Sequence, residues 1–166
     1  MRILTVYYSL EGNCRALADV IQEAVGGDVE GLRPEKEIPR KGFRRLLIGG
    51  WMTWLGQSCP NPPLTKNIAD YDLIFVGTPV WAWRMSPPIR RFLTETDFTG
   101  QYVALYAMHA RRSGWTLRAM QKQVEARGGR VVSAADFRDL RRGDPYPIRK
   151  RAAVWAREVV DSMDKI

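Results

Sequence analysis

Cysteine and histidine are nearly missing from this chain, which carries two cysteines, Cys14 and Cys59, and one histidine, His109, in 166 residues. The two thiols stand alone with no Cys-x-x-Cys pair, so neither a metal site nor a dithiol is expected, and a reducing cytoplasm is the expected compartment. No apolar run approaches the ~20 residues that a membrane span needs, and no signal-peptide pattern precedes the first strand. A P-loop needs GxxxxGK[ST], and no such string occurs; a GxGxxG fingerprint after the first strand is missing too. That strand ends in Tyr7, Tyr8 and Ser9, where a receiver domain would carry acidic residues. Repeats, low-complexity tracts and breaks in composition are all absent, so residues 1–166 are expected to form one domain with a real core.

What is plentiful is positive charge. The net charge is +8, the isoelectric point is near 9.9, and arginine outnumbers lysine 20 to 6. Arg138, Arg141, Arg142, Arg149, Lys150 and Arg151 form a basic run around the Gly-Asp-Pro-Tyr-Pro turn at 143–147. No helix-turn-helix, finger or RNA-stacking motif accompanies the charge, so nucleic acid is not the expected partner. An anionic substrate or an acidic protein face fits it equally well.

Ile3-Leu4-Thr5-Val6-Tyr7-Tyr8 reads as a buried strand, rich in β-branched and aromatic residues. Ser9-Leu10-Glu11-Gly12-Asn13-Cys14 follows as a polar turn, and Ala16, Leu17, Val20, Ile21 and Ala24 then recur at helical spacing up to Gly26-Gly27. Strand, turn and helix start make an anion cradle, where backbone N–H groups and the helix dipole converge. Alone, such a loop is equally an ordinary turn that binds nothing.

Tyr71 to Gly77 is a second apolar strand, running into Thr78-Pro79-Val80-Trp81-Ala82-Trp83-Arg84-Met85-Ser86-Pro87-Pro88. Ser86 is the expected N-cap of the helix that follows, with Pro87 in its first turn. Trp81 and Trp83 could be core, but they stand in a proline-bounded loop after a strand, where aromatics more often line a ligand crevice. The Ser-x-x-Gly-Asn loop and the string GTPVWAWRMSPPIRRFL together resemble the flavodoxin-like family. The family's hydroxyl residues are missing at Leu10-Glu11 and at Cys14. A third loop, Met108 to Trp115, matches in position but is basic and carries only Gly114.

That resemblance implies FMN as cofactor. It places Ser9, Leu10, Glu11, Gly12, Asn13 and Cys14 around the phosphate, mainly through backbone N–H groups. Thr78, Pro79, Val80, Trp81, Ala82 and Trp83 would flank the ring, and His109, Ala110, Arg111, Arg112, Ser113 and Gly114 would close its far edge. His109 is a proton-donor candidate set against a bystander role. Cys14 is read as a small packing residue, against a reactive thiol at a helix N-terminus.

The expected architecture is α/β and doubly wound, with parallel strands at 2–8, 28–33, 72–77, 101–107 and 130–135 in the order 2-1-3-4-5. Helices are expected at 13–25, 43–55, 87–95, 115–127 and 147–163. The aromatics of 43–55 pack on the sheet in one reading; in another they cap the flavin site or form a homodimer face. The expected function is FMN-dependent oxidation of NAD(P)H with a quinone-like acceptor. The alternatives are a one-electron carrier docking a redox partner protein with an acidic face, and a flavin-free binding protein. Shuttle flavodoxins commonly carry glycine where this chain has Ala82, in a turn that needs φ > 0. Ala82 is expected to resist that turn, and Arg84, Arg111 and Arg112 to favour a fully reduced, anionic ring. Both expectations point to two-electron chemistry.

Overall fold

The computed structural model describes residues 1–34, 62–140 and 144–163. In chain order these form β1 (Ile3–Tyr7), α1 (Asn13–Val25), β2 (Asp28–Gly31), a 3-10 turn (Ile68–Asp70), β3 (Leu73–Trp81), β4 (Arg84–Met85), α2 (Pro87–Glu95), β5 (Tyr102–His109), α3 (Thr116–Ala126), β6 (Arg130–Arg138) and α4 (Tyr146–Met163). The sheet runs β2-β1-β3-β5-β6 with every neighbouring pair parallel. This is the expected doubly wound order, with one unforeseen addition: β4 pairs antiparallel with the tip of β3. The expected helix 43–55, Cys59, Arg141 and Arg142 lie outside the described residues.

Alternation along the strands supplies both faces of the sheet. Leu73 and Phe75 of β3 join Leu17, Ile21, Ala152 and Ala156 on the side covered by α1 and α4. Ile74 and Val76 join Ile89, Leu93, Met120 and Val124 on the side of α2 and α3. A parallel sheet buried on both faces needs continuous apolar strands, which is why these segments were legible. Trp155 anchors α4 by standing edge-on to Phe75, Tyr106 and Phe137, at 5.5, 6.5 and 5.8 Å between ring centres, while its Nε1 donates to Ser133 Oγ at 2.9 Å.

Three strands run further than expected, all at their C-terminal ends. β3 continues to Trp81 rather than 77, β5 to His109 rather than 107, and β6 to Arg138 rather than 135. Pro79 reads as a strand stop, yet the pairing passes it through Thr78↔Ala107 and Pro79↔Met108. Arg138 is therefore a strand residue paired with His109, not part of the turn around Asp144. β2, by contrast, ends at Gly31, short of 33.

Candidate functional site

The C-terminal ends of β1, β3 and β5 lie side by side at the point where the strand order reverses, the place where open α/β sheets bind ligands. At the first end, Gly12 occupies the N-cap of α1 with φ +91° and, being glycine, offers no side chain to cap the helix. A Cβ on Gly12 would meet nothing within 4 Å. The left-handed backbone, not crowding, calls for glycine here. The opening N–H groups of α1 thus lack intrahelical partners and receive no cap from Gly12, which is the condition for receiving an anion.

This loop is tied down from its far side. Asn13 Nδ2 donates to Asp139 Oδ1 at 2.8 Å, and Tyr106 Oη donates to the Cys14 carbonyl at 3.1 Å. The buried Tyr106 ring lies across Gly77, where a Cβ would fall 1.9 Å from Tyr106 Cζ. Gly77 is the residue that lets the ring reach under α1. Cys14 itself is buried; burial first and the Asp139 charge second push its thiol well above the ordinary range. It is a packing residue, as one of the two readings held.

The second end is a hairpin rather than an irregular loop. Val80 pairs with Met85 and Trp81 with Arg84 around the two-residue turn Ala82-Trp83. Both turn residues are left-handed, with φ +47° and +60°, as a type I′ hairpin turn requires. Neither is the Asn, Asp or Gly that usually fills such turns. The expectation that Ala82 would resist φ > 0 is therefore corrected: the turn adopts it, at roughly 1–2 kcal/mol per residue. Strain of this kind persists only where the surroundings impose it. Here they do so through buried Met85, through Trp81 standing edge-on to Tyr8 at 5.8 Å and 82°, and through Thr78. Thr78 is fully buried; its Oγ1 accepts from Ser86 N at 3.0 Å and shares a 3.1 Å hydrogen bond with Ser86 Oγ. Ser86 does sit at the N-cap of α2, but its side chain caps nothing, being engaged with Thr78.

At the third end, Asp136 gathers the loop. Its Oδ2 accepts from Ser113 Oγ at 2.7 Å and lies 3.2 Å from His109 Nε2. His109 Nδ1 is buried without a hydrogen-bond partner. Trp115 takes the N-cap position of α3.

Between the three ends lies a cleft of about 140 Å³, lined by Ser9, Leu10, Glu11, Asn13, Cys14, Pro79, Val80, Trp81, Met108, Ala110 and Asp139. Nine of these belong to the expected set. Thr78, Ala82, Trp83, His109, Arg111, Arg112, Ser113 and Gly114 do not line it, and Gly12 instead borders the neighbouring hollow beside β2. Met108 and Asp139 were missed. Both lie at a strand's C-terminal end, a signal that longer β5 and β6 would have supplied. The cleft is smaller than the roughly 300–1,000 Å³ of an enclosing small-molecule pocket, so an aromatic ring system seated there keeps an edge in solvent.

A family model described as flavodoxin matches residues 59–139, a span that holds the hairpin and the third loop but not Ser9–Cys14. Among solved structures, a flavoprotein in complex with FMN from Lactobacillus acidophilus superposes with a TM-score of 0.67 at 19% identity, over 84% of this chain and 94% of its own. The two-electron reduced flavodoxin of Megasphaera elsdenii gives 0.59 at 22% identity, over 93% and 97% of the two chains. The FMN-bound flavodoxin of Fusobacterium nucleatum gives 0.59 at 15%, over 98% and 99%. At such identities the likeness is one of fold.

Proposed function

We propose that this chain, whose fold is flavodoxin-like, holds FMN at the ends of β1, β3 and β5 and oxidises NAD(P)H with a quinone-like acceptor. The observation that carries the reading is the left-handed, glycine-capped start of α1 opening beside a cleft walled by Trp81. The residues fit the group: main-chain N–H donors for a phosphate, and an indole half-buried against Tyr8 for a flat ring. FMN would supply hydride acceptance from the nicotinamide and return of two electrons to the quinone, which takes up two protons. The chain's own part is placement and charge. Backbone groups from Gly12 onward orient the phosphate, Pro79 and Val80 line the ring's approach, and Glu11 and Asp139 set negative charge in the cleft. Arg84, Arg111 and Arg112 set positive charge on the exposed loops beyond it.

The test is direct. Purified protein should be yellow and release FMN, and apoprotein should bind FMN far more tightly than riboflavin. Each charge-assisted hydrogen bond lost with the phosphate is worth roughly 1.5–3 kcal/mol. Bound flavin should be quenched, and Trp81→Ala should restore emission while Trp83→Ala does not, because only Trp81 lines the cleft. Equal affinity for the two flavins would defeat the cradle assignment.

A one-electron carrier is the second reading, and one observation favours it. Ala82 is already left-handed, so the conformational obstacle that argued against that chemistry is absent. Photoreduction separates the two: a blue one-electron-reduced form accumulating without NAD(P)H oxidation supports the carrier.

A further inference from the structure

Beyond the cleft, the outer side of the hairpin and third loop carries an unusual pair. Trp83 and Trp115 expose 67% and 72% of their surface, although large aromatics are seldom left so bare. Gly114 joins them: φ is +58°, and a Cβ there would lie 2.9 Å from Trp83 Cβ. The hairpin turn is thus seated on the residue that precedes Trp115. Arg84 follows Trp83 in the hairpin, and Arg111 and Arg112 open the loop that leads to Trp115; all three are exposed. Among the described residues none of the three guanidinium groups has a hydrogen-bonded or ion-paired partner. A fourth cation adds to the excess: Arg90 is half-buried on α2, where burial and then the Arg84 charge weaken its hold on its proton. The carboxylate of this region, Asp136, is already engaged by His109 and Ser113.

Resting on the reading that FMN occupies the cleft, we propose that Trp83, Trp115, Arg84, Arg111 and Arg112 form the subsite for a phosphorylated dinucleotide, selecting NADPH over NADH. The guanidinium fork pairs with phosphate through two parallel hydrogen bonds, and an indole face stacks on a nucleobase. Charge counting decides between the two donors. A pyrophosphate bridge carries two negative charges and satisfies two arginines; the third finds its counterpart only in a ribose phosphate. The rim also lies on the loops beside the cleft, so a nucleotide held there has its nicotinamide within the site's reach.

Calorimetric titration of the protein as isolated with NADP⁺ and NAD⁺, which need no turnover, tests this. NADP⁺ should bind about tenfold more tightly, and Arg111→Ala/Arg112→Ala should remove about that factor for NADP⁺ while leaving NAD⁺ within about threefold. Trp115→Ala should weaken both. These residues are exposed, and circular dichroism confirms that each variant is folded. Equal affinity for the two nucleotides, or a preference unchanged in the double variant, overturns the proposal and leaves the rim to an acidic protein. The flavin reading fails separately, by absence of FMN absorbance. Colourless protein that still prefers NADP⁺ keeps the rim and loses the cofactor; yellow protein with no preference does the reverse.

Discussion

The two sides of the cleft are built by opposite means. On the β1 side, the working groups are main-chain N–H donors, and side chains serve from behind: Tyr106 Oη on the Cys14 carbonyl, Asn13 on Asp139. On the β3 and β5 side, the hairpin turn is strained at Ala82 and Trp83, and the outer surface carries two bare indoles and three guanidinium groups that lack a partner among the described residues. In the proposed reading, a backbone-built cradle would tolerate the loss of the family's hydroxyls at Leu10, Glu11 and Cys14, because its donors do not depend on side-chain identity. The proposed side-chain-built rim does depend on it.

The sharpest way to break this comparison is to remove the support beneath the cradle. Gly77→Ala places a Cβ 1.9 Å from Tyr106 Cζ, a ring that is fully buried and cannot swing away. Overpacking of this kind costs about 3 kcal/mol, read as a lowered denaturation midpoint at unchanged m-value. Adding Tyr106→Leu should recover part of the loss. If Gly77→Ala alone is neutral, the ring does not lie over β3 as described.

Next in size is Tyr106→Phe, which keeps the ring and deletes the hydrogen bond to Cys14. About 1 kcal/mol of stability should go, and FMN affinity should fall with it if the cradle's position depends on that tie. An unchanged affinity at reduced stability would show that the start of α1 is held by packing alone. The same burial protects Cys14. Its folded thiol titrates above the unfolded value of roughly 8.5, so its contribution is present below that pH and is lost as the pH rises past it. In a Cys59→Ser background a thiol reagent at pH 8 should label Cys14 only on unfolding; rapid labelling of the native protein would contradict the burial.

The two sides also differ in how much of them the sequence disclosed. Gly12 and Asn13 between an apolar strand and a periodic helix announce a cradle, because a left-handed cap and a helix start are local properties. Trp81, expected at the ring wall, does line the cleft, yet its neighbours form a hairpin where the sequence predicts a loop. The hairpin rests on the pairing of Val80 with Met85 and on the Thr78–Ser86 hydrogen bonds, and its turn residues, Ala and Trp, are poor local signals for it. His109 and Ser113 meet on Asp136, 27 and 23 residues further along the chain, and no local pattern records such a meeting. The central strands followed readily because β1, β3 and β5 are nearly continuous apolar runs. The ends of the strands did not, because pairing with a neighbour, not composition, decides where a strand stops.

The smallest expected effect is the most discriminating. At an ordinary element position, alanine to glycine costs about 0.5–1 kcal/mol, because glycine loses more freedom on folding. At Ala82 that loss is opposed by relief of roughly 1–2 kcal/mol, since the backbone is already at φ +47° and glycine meets no penalty there. Ala82→Gly should therefore leave stability unchanged or raise it by about 0.5 kcal/mol, with Trp83 and its seat on Gly114 untouched. A loss of about 1 kcal/mol in urea unfolding would mean that the turn is not left-handed in solution. The same variant bears on the chemistry. If the conformational freedom of this turn governs one-electron reduction, glycine should increase the blue form that accumulates on photoreduction. If the rim arginines govern it instead, that yield should stay fixed in Ala82→Gly and change when Arg84 is replaced.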